Sequence, residues 1–369
     1  MLSQRRVLGL VGFISLLPAA ALAGEAIPPA PGATAAAAAT SKPAGATDST
    51  FKPGVMLQAW YSASDAGDGS NSFRIRRAEI SGKGEIIRKR VGYAVMLDAA
   101  RLLEFQDKSL PVSPAGMPAA SVVAKQPQGG ASVLQDVFVT YMTSLSDVSI
   151  GEFKMPVSWE GYNSASKLLF PERALVATRF GDKRDLGLRL AKQFEHIGYS
   201  AGLFNGTGVN TPDSNRGKDG ALRLEIYPVE GLTLAGVAYG SLWRRRDPGS
   251  KDRYEADLRF VRGPFLFQGE YIYARDRVKA ATGNQWVTGE GFYTALGWTF
   301  FDSLQLAGRV GALDPDKNVE GDHTVATEAT LNWYLQKFEA RTSIAYSHFA
   351  NGGGKPGENV LIFAAQTAY

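Results

Sequence analysis

The sequence lacks cysteine altogether, contains only three histidines, and has no apolar run of the roughly 18 residues that a membrane-spanning helix requires. The absence of cysteine excludes disulfides and thiol chemistry. The histidines His196, His323 and His348 lie far apart, without the spacing of metal ligands. Ser347 and His348 are adjacent, so in a strand their side chains would point to opposite faces. We therefore expect no enzymatic activity, no cofactor and no metal site.

The amino terminus has the pattern of a secretory signal. Arg5 and Arg6 precede an apolar stretch that ends in small residues at Ala23, a typical cleavage site. We predict a signal peptide over 1–23. The segment 24–50 is rich in Ala, Pro, Gly, Ser and Thr and offers almost nothing to bury, so we predict a disordered periplasmic linker there.

The net charge is small once the signal is removed. Residues 1–23 contain two of the 40 basic residues and none of the 36 acidic ones, so 38 bases face 36 acids, a net charge of +2. Because this balance is close to neutral, we expect no nucleic-acid partner.

The remaining chain, 51–369, consists of segments in which apolar and polar side chains alternate. Between positions 254 and 260, apolar residues at even positions alternate with Glu255, Asp257 and Arg259. Each segment therefore has one apolar and one polar face. About 16 such segments occur, joined by alternately long and short connectors, which places the long loops on one side. We predict an all-β fold, a transmembrane antiparallel β-barrel of about 16 strands, rather than a soluble sandwich.

Several local features refine this barrel. Arg76 and Arg77 interrupt the alternation of the second strand and indicate a bulge. The final strand ends on the aromatic Tyr369, a pattern that resembles the signal by which the barrel-assembly machinery recognises its clients. Five tryptophans are expected at strand ends or on outward positions, as membrane-girdle residues: Trp60, Trp243, Trp286, Trp298 and Trp333. Long loops are predicted at about 101–131, 157–182, 205–218 and 275–287.

A set of short segments is similar to one known family. The segments are FRIRRAEI at 73–80, LQD at 134–136, IGEFKMP at 150–156, Glu160, FPER at 170–173, RDLG at 184–187 and LFNG at 203–206. Together they resemble the signature of the phosphate-selective porin O and P family. The resemblance covers about 54–369 and is densest between 134 and 206. It implies a trimeric, sixteen-stranded outer-membrane channel of a Gram-negative bacterium. It also implies that the third long loop, here about 157–182, folds into the lumen and narrows it.

If the apolar face of each strand meets lipid, the other face lines the lumen. Fixed guanidinium groups suit anion passage, because their planar fork pairs with phosphate or carboxylate oxygens and does not deprotonate. Rings of such charges can set the selectivity of a channel. The pore-lining and constriction candidates are Lys154, Lys167, Arg173, Arg179, Arg189, Arg223, Arg259, Arg309 and Arg341.

An alternative interpretation of these bases is that they only solvate the wall. Acids accompany almost every base along the chain, as Glu152 does Lys154 and Glu172 does Arg173. Paired charges of this kind would contribute little selectivity.

We predict an outer-membrane diffusion channel, a porin, for small hydrophilic solutes, with a preference for anions such as phosphate or polyphosphate. A general, weakly selective porin and a non-conducting surface or adhesion barrel are the alternatives. The expected partners are outer-membrane lipids and lipopolysaccharide, further copies of the chain in a homotrimer, the barrel-assembly machinery through the strand ending at Tyr369, and small anions as solutes.

Overall fold

The computed structural model describes most of the chain beyond residue 48. It covers 49–369 with gaps at 68, 104, 113–119, 128–131, 182, 214, 244–247 and 281–282, and for 105–112 and 120–127 it describes the backbone alone. The predicted signal peptide and nearly all of the predicted linker lie outside the described residues. Within the described part, no helix is both long enough and apolar enough to cross a membrane.

Sixteen strands form one closed antiparallel sheet, which confirms the predicted barrel. The first strand pairs with the last, from Met56 opposite Ala368 to Ser64 opposite Val360, so the sheet has no free edge. In the first half of the chain, β4 and β5 form a separate hairpin and the other strands belong to the barrel: β1 (Thr50–Ser64), β2 (Ser70–Ile87), β3 (Val91–Asp98), β4 (Phe105–Val112), β5 (Ala120–Pro127), β6 (Leu134–Met142), β7 (Asp147–Lys154), β8 (Arg184–Gln193), β9 (Ile197–Phe204) and β10 (Asp219–Ile226).

The second half of the barrel is built from longer hairpins. Tight turns join the strands on one side, as between β14 and β15, where Phe301 and Asp302 have φ of 53° and 57°. Two-residue hairpin turns favour such positive φ values, because their twist matches that of the strands. These strands are β11 (Leu232–Ser241), β12 (Lys251–Arg262), β13 (Phe265–Ala280), β14 (Gly283–Phe300), β15 (Leu304–Asp314), β16 (Thr324–Gln336), β17 (Ala340–Asn351) and β18 (Glu358–Ala368).

Two predicted loops differ from the structure. The predicted loop 101–131 contains the β4–β5 hairpin, and a 3₁₀-helix at Ala99–Leu103 leads into it. The predicted loop 275–287 is wrong, because β13 and β14 pair without interruption up to Ala280 opposite Gly283. The apolar alternation fades there because strands that extend past the lipid-facing band need no apolar face, whereas their backbone pairing continues.

Burial alternates along the strands in the sense expected of a membrane barrel. In β14, Phe292, Leu296 and Trp298 are exposed, whereas Tyr293 and Ala295 between them are buried. The buried face carries most of the arginine, carboxylate and amide side chains of the strands. The barrel is therefore apolar outside and polar inside.

One predicted girdle residue lies on the other face. Trp60 is buried, and the guanidinium groups of Arg74 and Arg76 lie 4.8 and 5.6 Å from its ring. Register places Trp60 directly opposite Arg74, so both side chains point to the inner face. The outward prediction for Trp60 is therefore wrong, whereas Trp298 and Trp333 are exposed as expected.

The predicted bulge in the second strand is confirmed. The register of β1 and β2 shifts where Gln58 pairs with Arg77 and Ala59 pairs with Ile75, which leaves Arg76 as the extra residue. A bulge re-aims side chains locally. As a consequence, two consecutive arginines reach the same carboxylate, that of Glu172.

Candidate functional site

The segment 155–183 between β7 and β8, called the inner connector below, contains most of the short helices of the protein. These are α1 (Trp159–Tyr162), a 3₁₀-turn (Ala165–Lys167) and α2 (Leu175–Phe180). Ser158 caps α1, since its Oγ accepts a hydrogen bond of 3.0 Å from the Gly161 N–H.

The inner connector binds to the buried face of several strands. Five of the wall residues that hydrogen-bond to it belong to β12, β13, β16, β17 and β18, and these five are buried. Because the buried face of each strand is the inner face of the ring, we infer that the connector lies within the barrel. Its hydrogen bonds to these strands are Ser158 N to Glu255 (2.6 Å), Trp159 N to Glu270 (2.9 Å), Asn332 to Leu169 O (2.8 Å), Arg341 to Leu168 O (2.6 Å) and Gln366 to Ser166 O (3.2 Å).

The strongest polar tie is a buried ion pair between the connector and β15. Arg309 Nη1 donates to both carboxylate oxygens of Glu160, at 3.1 and 3.3 Å, and its other nitrogens bind Glu328 at 2.5 and 2.9 Å. The Ala174 N–H donates to Glu160 at 2.7 Å. Burial raises the pKa of Glu160 above its ordinary value, and the nearby Arg309 opposes this shift. Loss of either partner would leave an uncompensated buried charge.

A second polar tie joins the connector to β2. Glu172 accepts from Arg76 at 2.7 Å and from Arg77 at 3.2 Å. Burial alone would raise the pKa of Glu172, but the two arginines outweigh it and hold that pKa at about 2. The carboxylate of Glu172 therefore stays charged over the whole physiological pH range, and its ion pairs with the two arginines persist over that range.

Apolar contacts complete the attachment of α2. Val176 and Phe180 are buried in one cluster with Ile272 and Tyr293, which belong to the inner faces of β13 and β14. Gly291 makes this approach possible, because a Cβ there would lie 3.0 Å from Val176 Cγ2. The connector is thus held by packing as well as by charge.

A cavity of about 570 Å³ lies beside the connector, on the side of the long loops. Its lining contains both ends of the connector and the facing ends of β11, β12 and β13. The described charged residues that border it are seven bases, Arg101, Arg179, Lys183, Arg184, Lys251, Arg253 and Arg277, and two acids, Asp185 and Asp276.

Part of this positive charge is neutralised inside the wall. Arg184 pairs with Asp136 at 2.9 Å, and Arg253 pairs with Asp276 at 2.7 Å. Neither Arg179 nor Lys251 has an ion pair among the described residues. The exposed Arg179 guanidinium lies 5.9 Å from the ring of Phe180. The cavity therefore keeps an excess of positive charge.

Four of the nine predicted pore-lining bases are buried and Lys154 is half-buried, and these five hold other groups in place. Lys154 donates to the carbonyls of Gly161 and Asn163, both at 2.7 Å, and so fixes the start of the connector. Arg223 is surrounded by carboxylates on β10 and β12. The buried bases and their closest partners are Arg173 with Glu160 O (2.8 Å), Arg223 with Glu225 (2.7 Å) and Asp257 (2.8 Å), Arg309 with Glu328 (2.5 Å) and Arg341 with Leu168 O (2.6 Å).

The other predicted bases are more accessible. Lys167 and Arg179 are exposed on the connector, whereas Arg189 and Arg259 are half-buried on the wall. The guanidinium of Arg189 lies 4.5 Å from the ring of Phe153, and that of Arg259 lies 5.1 Å from the ring of Trp159. The structure thus separates the nine candidates into bases that hold the connector or the wall in place and bases that a solute can approach. Their role in selectivity stays a prediction.

Sequence reasoning missed several bases of the cavity. Lys251 and Arg253 belong to the first residues of β12, but the clean alternation that marks this strand in the sequence starts only at Tyr254. Arg253 and Lys251 lie two and four residues before Glu255. Because residues two apart in a strand share a face, this spacing was the signal in the sequence that could have identified them. Arg101 and Lys183 lie outside the strands, where periodicity gives no information.

The described residues contain no group of three or more histidine, aspartate or glutamate side chains arranged to hold a metal ion. The carboxylates of the inner wall are instead paired with arginines and backbone N–H groups, as Glu160 and Glu255 are. The chemistry that this arrangement offers is therefore charge presentation rather than metal binding.

Comparison with solved structures shows the fold. An anion-selective porin from Comamonas acidovorans is similar with a TM-score of 0.61 and 11% identity, over 87% of this chain and 100% of that one. The trimer form of OmpT from Vibrio cholerae is similar with a TM-score of 0.60 and 9% identity, over 87% of this chain and 99% of that one. The outer-membrane channel DcaP of Acinetobacter baumannii has a TM-score of 0.59 and 11% identity, over 87% of this chain and 97% of that one.

The sequence itself also matches a family. No curated protein matches it. The family model for phosphate-selective porins O and P matches residues 57–251, which is more than half of the chain. This match agrees with the closed sixteen-stranded barrel and with its porin neighbours. The chain therefore belongs to the phosphate-selective porin O and P family and is a channel protein of the bacterial outer membrane.

Proposed function

We propose that this porin is a diffusion channel for small hydrophilic solutes that prefers anions. The observation that best supports the preference is the basic cavity beside the inner connector. Arg101, Arg184 and Arg253 of its lining are in ion pairs, and the Arg277 guanidinium lies over Trp286. Of the other described residues of the lining, the bases Arg179, Lys183 and Lys251 still outnumber the acid Asp185. Charges of one sign along a low-dielectric wall concentrate counter-ions locally. An anion that enters from the long-loop side therefore meets an attractive potential before it passes the connector.

The inner connector acts as the constriction in this proposal. It is attached to β15 by the Glu160–Arg309 pair and to β2 by Glu172, so it does not move freely in the ion path. Among the described residues of the connector, the exposed charges are those of Lys167, Arg179 and Lys183. Arg173, Arg309 and Arg341 act as positioning residues, because their guanidinium groups hold the connector rather than the solute.

The wider assignment combines sequence and family. We propose that residues 1–23 direct export and that the barrel assembles as a homotrimer in contact with lipopolysaccharide. Phosphate or polyphosphate is the solute class that the family name suggests. One structurally similar protein is anion-selective and another forms a trimer, which supports both proposals. A general, weakly selective porin is the second candidate, since acids accompany most bases of the inner wall.

The test is a charge deletion in the cavity. A charge about 6 Å from a passing ion in a water-like dielectric contributes about 0.7 kcal/mol, roughly threefold in relative permeability. The double variant Arg179→Gln/Lys251→Gln should therefore lower the chloride-to-potassium permeability ratio severalfold, as measured by the zero-current potential in planar bilayers.

The matched control is Lys355→Gln, which removes an exposed lysine from the β17–β18 connector, outside the cavity. It should leave the ratio unchanged. An unchanged ratio in the double variant would rule out the cavity as the source of selectivity. Block of the chloride current by millimolar phosphate separates a phosphate-preferring channel from a general porin, and absence of conductance would support the adhesion alternative.

A further inference from the structure

The upper part of the β13–β14 hairpin carries basic side chains on its outward face. The register of this hairpin is unbroken from Phe265 opposite Trp298 to Ala280 opposite Gly283, so the alternation of faces continues to its tip. Odd positions of β13 face outward, as the exposed Tyr271 shows. Arg275, Arg277 and Lys279 therefore share the outward face. They lie at the long-loop end of the strand, and so towards the cell exterior.

These bases lie directly above an aromatic girdle. Tyr254 and Tyr273 are opposite each other in register, with ring centroids 6.4 Å apart, and Tyr271 is one step lower. Outward tyrosines in membrane barrels mark the level where hydrocarbon gives way to headgroups. Arg275 and Arg277 are two and four residues beyond Tyr273, about 7 and 13 Å further along the strand. This is the depth of lipid phosphates in the outer leaflet.

The two arginines are positioned by an aromatic ring and not by acids. The guanidinium groups of Arg275 and Arg277 lie 4.5 and 5.5 Å from the ring of Trp286, which faces outward opposite Arg277. Neither side chain has an ion pair or a hydrogen bond among the described residues, and Arg277 Nε is buried without a partner. Stacking leaves the nitrogen edge of a guanidinium available to an oxyanion.

The acids of this surface do not cancel the charge. Glu290 is occupied by Lys317 at 2.6 Å and by the Tyr271 hydroxyl at 2.9 Å. Asp252, opposite Arg275 in register, is 5% exposed. Asp314 lies opposite Glu290 in register, and its charge acts on Lys317. Four bases and these three acids give the patch a net charge of +1, in a place where a protein that only faced hydrocarbon would carry none.

We propose that Arg275 and Arg277, stacked on Trp286, form a binding site for a phosphate group of the outer-leaflet lipid, the lipid A portion of lipopolysaccharide. The proposal rests on the placement of the barrel in the outer membrane, with its long loops outside. The two planar groups present parallel donors to the phosphate oxygens, and the acyl chains lie against the tyrosine girdle below. Arg275 lies outside the lining of the basic cavity, whereas Arg277 belongs to that lining as well.

The test measures binding of bis-phosphorylated lipid A to the detergent-solubilised protein, freed of native lipopolysaccharide. Each arginine that donates charge-assisted hydrogen bonds to phosphate accounts for about a tenfold change in affinity. The variant Arg275→Gln/Arg277→Gln should therefore bind about a hundredfold more weakly. The matched control is Arg262→Gln, which removes an exposed outward arginine from the short-turn end of β12. It should bind like the unmodified protein.

Further arms separate the possible sources of the effect. Dephosphorylated lipid A should bind the unmodified protein as weakly as bis-phosphorylated lipid A binds the double variant, and millimolar inorganic phosphate should not compete. Equal binding by the double variant, or full competition by free phosphate, would overturn the lipid site.

Should the double variant fold poorly, Arg275→Lys/Arg277→Lys retains the charge without the planar guanidinium fork and should bind with intermediate affinity. Bilayer conductance of the single variant Arg275→Gln tests the channel independently, because Arg275 does not line the basic cavity and this variant should conduct like the unmodified protein.

Discussion

The ion pair between Glu160 and Arg309 gives the sharpest prediction about the inner connector. Glu160 is fully buried and Arg309 is 2% exposed, so the change Arg309→Met leaves a buried carboxylate without its cation. Breaking a buried pair by removing one partner costs about 3–5 kcal/mol. Because the pair joins the connector to the wall, this cost is expected to favour states in which the connector leaves the wall while the barrel stays closed.

A cysteine probe measures that detachment directly. The chain has no cysteine of its own, and Ala177 on α2 is fully buried against the barrel. In an Ala177→Cys background, a maleimide reacts only when the connector opens. A loss of 3 kcal/mol should increase the labelling rate of the Arg309→Met variant by about a hundredfold, since each 1.4 kcal/mol corresponds to a factor of ten.

The double change Glu160→Gln/Arg309→Met is the matched control, because it removes the uncompensated charge of Glu160 together with the cation and leaves Glu328 unpaired in both variants. Residues in direct contact couple, so this variant should label more slowly than Arg309→Met alone. Labelling of Arg309→Met at the unmodified rate, or simple additivity of the two single changes, would refute the idea that this pair holds the connector.

Two further predictions concern the other attachments. The pKa of about 2 at Glu172 lies below the ordinary value of 4.5, so its tie to β2 contributes stability that is present above about pH 4.5 and is lost as pH falls through 2. The contribution of Glu172 should thus change only as pH falls towards 2. The difference in single-channel conductance between the unmodified protein and Glu172→Gln should therefore be constant from pH 7 to pH 4 and vanish near pH 2. A difference that already vanishes near pH 4.5 would contradict the tie. The change Phe180→Ala should open the connector by about 3–5 kcal/mol, seen as faster labelling of Ala177→Cys, because a buried aromatic is lost. The exposed Phe301→Ala serves as its control and should label at the unmodified rate, and equal rates in the two variants would argue against packing of α2.

The barrel was predictable from the sequence because lipid imposes a strict condition on each strand. Outward positions such as Phe292 and Leu296 must be apolar wherever lipid touches them, and the resulting period of two survives in the sequence. The same reasoning explains why the loop predicted at 275–287 is wrong, because the strands there continue beyond lipid and outward positions no longer need to be apolar. The extent of backbone pairing leaves no periodic signal of its own there.

The roles of the bases were not predictable in the same way. Arg309 and Glu160 are 149 residues apart, and their pairing depends on where the connector rests, which no local pattern encodes. Arg309 and Arg179 therefore cannot be told apart in the sequence, although Arg309 is buried and holds the connector whereas Arg179 borders an open cavity. Trp60 shows the same limit for aromatics, because the residue type fits a girdle while the register turns it inward.

The zero-current potential of the unmodified protein in a potassium chloride gradient tests the central claim most directly. An anion-preferring channel lets chloride diffuse ahead of potassium, so the dilute side should become negative relative to the concentrated side. A potential of the opposite sign, or the absence of any conductance from correctly folded protein, would contradict the account.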